Sequence, residues 1–498
     1  MKIRLSHLLP LVCGGLLLWA GAAAAQSLAA KVHEATLANG LKLLVVERHD
    51  APVFSAYLSM GVGGVDETSR TRGVAHLLEH MLFKGTHRIG TNDWSKEEPL
   101  LEKIEAVGSR IDELKDFPGP PSAELQQLRQ QLAELQQEHR RYVVKDQFSR
   151  IYAENGGVGY NAFTSKDLTT YVISLPANKL ELWAALESDR MQNAVLREFY
   201  TERDVVMEER RRSTESNPSG LLYEKLLATA FAVHPYRNPT IGWDSDIAHL
   251  TLDETRQFLH RYYAPANTVI ALVGDVDFAS AKALVERYFG AIPAGTRVPP
   301  VTAVEPPQHG EKRVRVEFDA EPQLAIAFHK PTLPAKADYA FDLLDQILTQ
   351  GRTSRLYQTL VVEQQLATSV SSYTAPGSRY PNLFVISAAP RYPHTCAEVE
   401  AAIYRELEKL ASTPVSAAEL EQARNRLRTD RLRYLQGNAG LARMLTYYQV
   451  VAGDWHYLVD YDAVVAGLSA EDVRQTAATY LVPDNRTVAI LGKQGGLE

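Results

Sequence analysis

The sequence predicts an α+β protein of two related halves, each with antiparallel-type sheets packed against helices. Its 498 residues exceed the roughly 250–300 residues at which a single hydrophobic core stops growing, so two or more domains are expected. When the chain is shifted by 218 residues, 250–274 aligns with 468–492 without a gap, and eight of these 25 positions are identical. Both copies show the pattern of a helix, a Pro-Xaa-Asn turn and a buried strand that ends in glycine. The ungapped register favours an internal duplication over chance similarity.

The first 25 residues differ from the rest of the chain. Lys2 and Arg4 precede an apolar run over 8–19, which is followed by a tail of small residues. This pattern predicts a secretory signal peptide over 1–25, cleaved after Ala25. A membrane anchor is the alternative, but the run is short for a span, which needs about 20 apolar residues. We therefore expect an exported protein, periplasmic or secreted, without a stable membrane span.

The composition excludes several kinds of site. Without the signal peptide, the chain carries 51 Lys and Arg residues (53 less the two in the signal peptide) against 60 Asp and Glu, a net charge of −9. An acidic chain without a basic tract is a poor candidate for binding nucleic acid. Cys13 leaves with the signal peptide, so Cys396 is alone in the mature chain. An internal disulfide and a cysteine-based zinc site are therefore excluded.

The first half is predicted to span 26–291 and to begin with strands. An Asn-Gly pair at 39–40 is typical of a tight hairpin turn. The segments 41–46 and 53–60 are predicted strands. Three glycines then end the second strand, and a helix is expected to begin near Thr71.

A helical insertion is predicted at 92–154. Apolar residues recur at helical spacing from Leu100 to Leu114, and again at steps of three and four from Leu125 to Tyr142. A turn rich in proline separates the two runs, so the stretch is interpreted as an antiparallel helical hairpin. Its outer face is rich in Gln, Glu and Arg, which favours a solvated prop or a partner-docking arm over a catalytic element.

A proline-rich linker is predicted between the two halves. Residues 292–310 contain five prolines, which is the composition of a semi-rigid connection. The second half is predicted to span 311–498.

The residues that point to chemistry are His76-Leu77-Leu78-Glu79-His80. On a helix, positions i, i+3 and i+4 share one face, so two imidazoles and a carboxylate would project together. Two neutral histidines can hold Zn²⁺, and an adjacent carboxylate can take a proton from the metal's water. This order of residues is the inverse of the thermolysin-like order. A pair of structural histidines is the alternative, and a third ligand would distinguish the two.

Two glutamates are candidates for that third ligand. Glu202 and Glu209 are seven residues apart, so on a helix they would lie on one face, two turns from each other. Glu208 would point elsewhere. One of the pair could bind the metal while the other orients a ligand. The spacing leaves open which does which, and a solvated charged face is the alternative.

Three segments in order resemble the pitrilysin–insulinase metallopeptidases, a family shared by mitochondrial processing peptidase and many bacterial zinc peptidases. The stretch 73–86, which contains the His-Leu-Leu-Glu-His motif, resembles the family's active-site helix. The stretch 155–165 resembles its glycine-rich turn and edge strand, and 202–209 resembles its third-ligand segment. From Glu311 onward, the chain resembles the family's catalytically silent half. The resemblance covers essentially the whole mature chain and implies a clamshell arrangement of the two halves.

The resemblance also implies a role for each residue of the motifs. His76, His80 and Glu209 would bind one Zn²⁺ per chain, and Glu79 would be the general base. Glu202 would act beside Glu79 in the catalytic site by hydrogen bonding near the metal.

A substrate site is implied in the same way. Asn161, Ala162 and Phe163 match the strand that pairs with an extended substrate backbone, a mode of binding that tolerates varied sequences. The implied activity is that of an exported zinc-dependent endopeptidase acting on peptides or extended polypeptide segments.

The chain departs from the family pattern in two places. The hairpin lengthens the separation between His80 and Glu209. The family's second half commonly carries an Arg and a Tyr, seven residues apart, that hold substrate, whereas this chain has Val361 and Thr368. We therefore expect a related subunit, in a homodimer or a heterodimer, or other residues of this chain to supply these contacts. A non-catalytic assembly or partner subunit that keeps the fold is the alternative function.

Overall fold

The computed structural model describes residues 28–116 and 122–493. The predicted signal peptide lies outside the described residues, as do 117–121 in the turn of the predicted hairpin. Contacts within the chain divide it into two compact units. The first unit comprises 35–43 and 48–307, and the second comprises 28–34, 44–47 and 308–493. No helix in these described ranges combines the length and the apolar character needed to cross a membrane.

The first sheet has six strands. They are β1 (Val32–Thr36), β2 (Lys42–Glu47), β3 (Val53–Met60), β4 (Val158–Thr164), β5 (Thr169–Pro176) and β6 (Thr268–Gly274). Their order in the sheet is β1-β2-β6-β3-β5-β4. Strand β3 pairs antiparallel with both β5 and β6, and β4 forms one edge. The predicted strand over 53–60 is confirmed with these bounds.

The first unit has ten helices in its described residues. They are α1 (Val74–Met81), α2 (Trp94–Leu114), α3 (Ala123–His139), α4 (Gln147–Glu154), α5 (Leu180–Asn193), α6 (Phe199–Arg210), α7 (Pro218–Ala230), α8 (Asp244–His249), α9 (Leu252–Tyr262) and α10 (Phe278–Phe289). The expected start of a helix near Thr71 is wrong by three residues. Residues 69–73 form turns, and Gly73 precedes α1 with a φ of 88°, which is outside the helical region.

Helices α2 and α3 pack against each other as a hairpin. Their contact is apolar and includes Val107, Ile111 and Leu125. The rest of the predicted stretch contains a further helix, α4, which leads into β4.

The base of this hairpin contains a buried ion pair. Glu97 on α2 lies 2.8 Å from His139 Nε2 on α3 and accepts a hydrogen bond of 2.6 Å from Arg197 Nε. All three side chains are buried. Arg197 also donates to the carbonyl groups of Thr86 and Ile89, which lie in the loop after α1. The hairpin is thereby fixed to the segment that follows the helix of the His-Leu-Leu-Glu-His motif.

The second unit is built on a five-stranded sheet. Its strands are β7 (Lys312–Glu317), β8 (Gln323–Lys330), β9 (Ala367–Ala375), β10 (Asn382–Pro390) and β11 (Arg486–Gly492). Their order is β7-β11-β8-β10-β9. The accompanying helices are α11 (Lys336–Leu348), α12 (Cys396–Ser412), α13 (Ala417–Gln436), α14 (Asn438–Val451), α15 (His456–Ala466) and α16 (Ala470–Tyr480).

The two halves share a local structure in the register that the sequence predicts. A shift of 218 residues carries the bounds of α9 onto those of α16, and the bounds of β6 onto those of β11. Asn267 and Asn485, which correspond under this shift, each donate a side-chain hydrogen bond to the carbonyl of the last helical tyrosine, at 3.0 Å and 2.8 Å. The prediction of an α+β protein with two related halves is confirmed.

Candidate active site

Helix α1 presents three polar side chains on one side. Five of its eight residues are buried and anchor it in the core: Val74, Ala75, Leu77, Leu78 and Met81. His76, Glu79 and His80 project from the remaining face, and the two imidazole centroids are 4.8 Å apart. The apolar positions therefore fix the helix and leave the polar groups available for chemistry.

Glu209 on α6 completes a set of three possible metal ligands. Its carboxylate oxygens lie 3.6 Å from His76 Nε2 and 3.3 Å from His80 Nε2. One possible ligand atom from each of the three residues lies within 4.8 Å of the other two. In residues 28–116 and 122–493, no other cluster of three His, Cys, Asp or Glu side chains meets this condition. Two imidazole nitrogens and a carboxylate are the protein ligands of many catalytic zinc sites, which keep a fourth position for water. The donor set thus fits Zn²⁺.

Glu202 contacts His80 at the other ring nitrogen, Nδ1. Glu202 Oε1 is 3.1 Å from His80 Nδ1, and its second oxygen is 2.5 Å from Lys84 Nζ. These partners lower the pKa of Glu202, although burial opposes its ionisation. A proton on Nδ1 directed at Glu202 leaves the lone pair of Nε2 facing Glu209. The two glutamates therefore approach different nitrogens of His80, a difference that the spacing could not show.

The two histidines differ in their affinity for protons. Burial, together with the nearby His80, lowers the pKa of His76 to about 4. Burial also disfavours the charged form of His80, but the carboxylates of Glu202 and Glu209 outweigh it and raise the pKa of His80 to about 9. His76 is therefore neutral at pH 7, whereas metal binding at His80 requires the loss of a proton. His76 Nδ1 is buried and has no hydrogen-bond partner among the described residues.

Glu79 faces the edge strand of the first sheet. Burial raises the pKa of its carboxyl group, against hydrogen bonds with Thr164, the last residue of β4. A carboxylate with a raised pKa accepts a proton more readily near neutral pH. Glu208 lies outside the cluster, because its carboxylate is 2.8 Å from Arg211 and 3.5 Å from Arg212.

The predicted substrate-binding residues lie together on β4. Asn161, Ala162 and Phe163 pair with Val172, Tyr171 and Thr170 of β5 in an antiparallel register. The ladder shifts register between Val158 and Asn161. Because β5 covers only one side of β4, the other side of this strand is an edge of the sheet, where an extended chain could add.

A cavity of about 610 Å³ opens beside the motif. It is bordered by Glu79, His80 and Asn161, and part of its wall is apolar. The apolar side chains are Phe83, Val143, Val144 and Val205. The cavity is large enough for an amino-acid side chain next to the polar cluster.

The positions that depart from the family pattern lie in the second unit. Val361 packs against the hydrophobic core of that unit. Thr368, on β9, donates its hydroxyl to the carbonyl of Ala389 at 3.2 Å. Neither side chain offers a charged or long-reaching donor.

Two contacts of the cluster escaped the sequence analysis. Lys84 lies in the turn after α1 and pairs with Glu202, which is distant in sequence, so no local pattern reveals this contact. Thr164 reaches Glu79 through the packing of a strand on a helix that are distant in sequence, so no local pattern reveals it.

Comparison with protein families matches the chain in two parts. Residues 43–112 and 123–244 match the family described as insulinase (peptidase family M16). Residues 249–427 match the model described as the peptidase M16 inactive domain. Together these matches cover more than half of the chain.

Individual relatives extend over nearly the whole chain. The zinc protease PqqE of Helicobacter pylori is 27% identical over 475 residues, which are 94% of each chain. A crystal structure of a protease from Helicobacter pylori matches with a TM-score of 0.77 and 26% identity, over 93% of this chain and 99% of that one. The first half of the periplasmic protease PqqL from Escherichia coli matches with a TM-score of 0.66 and 18% identity, over 94% and 93% of the two chains.

Proposed function

The chain belongs to the insulinase family of peptidases, peptidase family M16, and from this we propose that it is an exported zinc-dependent endopeptidase. Its substrates are peptides or extended, unfolded polypeptide segments. The observation that carries the proposal is the convergence of His76, His80 and Glu209 beside Glu79, next to an open strand edge.

The chain's own residues divide the work of hydrolysis. His76, His80 and Glu209 hold one Zn²⁺, which when bound acts as a Lewis acid that lowers the pKa of water and polarises a carbonyl group. Glu79 takes a proton from the attacking water and returns it to the leaving amine. Burial raises the pKa of Glu79, which suits it to both steps. Glu202 orients the imidazole of His80 through Nδ1.

Substrate is bound through its main chain at the edge of β4. The backbone of Asn161–Phe163 pairs with an extended segment, so affinity depends little on side chains. The adjacent cavity, with Phe83 and Val205 in its wall, takes one side chain of the substrate. This arrangement supports cleavage of segments that are already unfolded, because a residue within a folded sheet or helix has no free main-chain groups.

Glu79→Gln tests the catalytic part of the proposal. This change removes the proton acceptor and leaves the three metal ligands, so zinc content should stay at one per chain while hydrolysis falls at least about 100-fold. Zinc is measured by atomic absorption, and hydrolysis with unstructured peptides. Undiminished turnover in the variant would remove Glu79 from the role of base, and a wild-type chain that binds no zinc would remove the proposal as a whole.

A second candidate is a role that depends on a related subunit. Val361 and Thr368 stand where the family commonly has an Arg and a Tyr, and neither offers such a donor. We favour an active homodimer or heterodimer in which the partner supplies these contacts. The isolated chain should then have low activity that rises when the partner is added. A chain shown to be monomeric at high dilution, whose rate no partner increases, would refute this dependence.

Export is supported by the signal-peptide pattern over 1–25 and by the periplasmic location named for PqqL. Expression of the full chain in a bacterium should yield a protein that begins at Gln26 and is released with the periplasm or the medium. N-terminal sequencing of the fractionated protein measures both. An intact N-terminus in the cytoplasmic fraction would contradict export.

A further inference from the structure

The first turn of α1 depends on a capping group from outside the helix. The helix has eight residues, and an isolated helix of this length is unstable in water. Its first N–H groups have no partner within the helix, and Gly73, the N-cap residue, has no side chain to supply one. Glu67 supplies it: its carboxylate accepts hydrogen bonds of 2.9 Å from the N–H groups of Gly73 and Ala75.

Glu67 is held by a short turn that is bonded to the end of the edge strand. The turn is a 3₁₀ helix over Gly64–Asp66. The N–H of Gly64 donates to the carbonyl of Ser165 at 3.1 Å, and that of Val65 donates to Lys166 at 2.9 Å. Residues 165–168 form the loop that directly follows β4, so the group that caps α1 is fixed to the loop at the end of β4.

The close approach of these two segments requires glycine at position 63. A Cβ atom on Gly63 would come within 2.5 Å of the carbonyl oxygen of Ser165 and 2.6 Å of that of Lys166. The N–H of Gly63 donates a hydrogen bond of 2.9 Å to the Asp66 carboxylate. The turn therefore has little freedom to move relative to the loop, and Glu67 is presented to α1 from a fixed support.

Glu67 is partly buried. Burial raises the pKa of its carboxyl group, whereas the hydrogen bonds from Ala75 and Gly73 and the attraction of Lys166 favour the ionised form that accepts both bonds. Lys166 is itself buried and donates to the carbonyl of Asn238. If the carboxyl group left the N–H groups of Gly73 and Ala75, polar atoms shielded from water would lose their hydrogen-bond partners, which is costly.

We propose that Glu67 is a positioning residue of the active site. Through the first turn of α1, it fixes His76 and Glu79 relative to the end of β4. Ala75, whose N–H it binds, is next to His76. Glu79 hydrogen-bonds Thr164, one residue before the loop that supports Glu67. The metal ligand and the base are thereby held at a constant distance from the strand on which substrate is laid. This inference rests on the proposed function.

Two variants of Glu67 test the proposal. Glu67→Gln keeps the shape but replaces one acceptor oxygen with an NH₂ group, which cannot accept from the backbone. Glu67→Ala removes both acceptors. We expect the dissociation constant for zinc to rise and kcat to fall by about tenfold in Glu67→Gln and further in Glu67→Ala, as for other residues that orient metal ligands. KM should change less than about threefold, because β4 is not altered.

Glu305→Gln is the matched control. The carboxylate of Glu305 also binds backbone N–H groups, those of Ala232, Val233 and His234, at 2.6 to 2.9 Å. It lies in the first unit, and the three N–H groups that it binds belong to 232–234, outside α1, α6 and β4. This variant should lose thermal stability while zinc affinity and kcat stay at the wild-type values. Equal losses of zinc affinity in Glu305→Gln and Glu67→Gln would show that Glu67 acts only through general stability.

Hydrogen exchange tests, without zinc or substrate, whether Glu67 stabilises the first turn of α1. In the metal-free protein, the amides of Gly73 and Ala75 should exchange at least about tenfold faster in Glu67→Gln and Glu67→Ala than in the wild type. Unchanged exchange there, or unchanged zinc affinity and kcat in a folded Glu67→Ala protein, would overturn the proposal. If the wild type itself neither binds zinc nor cleaves peptides, the proposed function fails, whereas the exchange result still decides whether Glu67 holds the first turn.

Discussion

Removal of the charge on Glu202 should weaken zinc binding without removing a ligand. Glu202 accepts from His80 Nδ1 across 3.1 Å and is ion-paired with Lys84. In Glu202→Gln, the side-chain amide can still place an oxygen near Nδ1, but the charge that favours a proton there is lost. His80 is then less firmly held in the tautomer that presents Nε2 to the metal.

The expected loss of zinc affinity differs between Glu202→Gln and Glu202→Ala. Loss of a group that orients a metal-bound histidine typically costs 10- to 100-fold in metal affinity. Glu202→Gln keeps an acceptor, so we expect the lower limit, about tenfold or 1.4 kcal/mol. Glu202→Ala removes it, so about 100-fold or 2.7 kcal/mol is expected. The loss should be larger at pH 8 than at pH 6.5. Glu202 helps to raise the pKa of His80 to about 9, so its removal also reduces competition from protons.

Competition with a chromophoric chelator measures the affinity at both pH values. Glu208→Gln is the control, because Glu208 lies on the same helix but is paired with Arg211 and Arg212. Its zinc affinity should equal that of the wild type. At saturating zinc, Glu202→Gln should recover most of its peptidase activity. Wild-type affinity in Glu202→Ala, or the same loss in Glu208→Gln, would refute the role of Glu202 in orienting His80.

Two further predictions concern the third ligand and the buried ion pair. Glu209→Gln should lower zinc affinity more than Glu202→Gln does, because it removes a ligand; equal zinc occupancy in Glu209→Gln and the wild type would contradict the assignment. Burial disfavours ionised Glu97, but hydrogen bonds from His139 and Arg197 outweigh it and lower its pKa to about 2 from 4.5. The folded state therefore binds fewer protons than the unfolded state between these values, and stability should fall by about 3 kcal/mol as the pH drops through that window. Urea unfolding from pH 5 to pH 2 measures the slope, which should be smaller in Glu97→Gln.

The sequence was sufficient for those features that repeat or that lie close together in the chain. The ungapped match at a shift of 218 residues predicted two related halves, and the bounds of α9 and α16 agree with it. The i, i+3, i+4 spacing predicted that His76, Glu79 and His80 lie on one helix face. The first result depends on an internal repeat and the second on helical periodicity, and a single sequence records both directly.

Contacts between distant segments could not be predicted in this way. The spacing of Glu202 and Glu209 left their roles open, because a common helix face does not say which end meets the histidines. The packing of α6 on α1 places them differently, with Glu209 3.3 Å from Nε2 and Glu202 3.1 Å from Nδ1 of His80. The links from Glu67 to Ala75 and from Glu97 to Arg197 are of the same kind. Each connects two local structures that the sequence describes separately.

The open edge of β4 also exposes the protein to self-association. A strand at the edge of a sheet can recruit the same strand of another molecule and begin aggregation. The register shift between Val158 and Asn161 interrupts the edge, because a bulge twists a strand away from regular pairing. Gly159 within it has a φ of 69°, a left-handed conformation that does not continue a ladder. The regular stretch that follows is short, and it ends at Thr164, whose backbone is already hydrogen-bonded to Glu79.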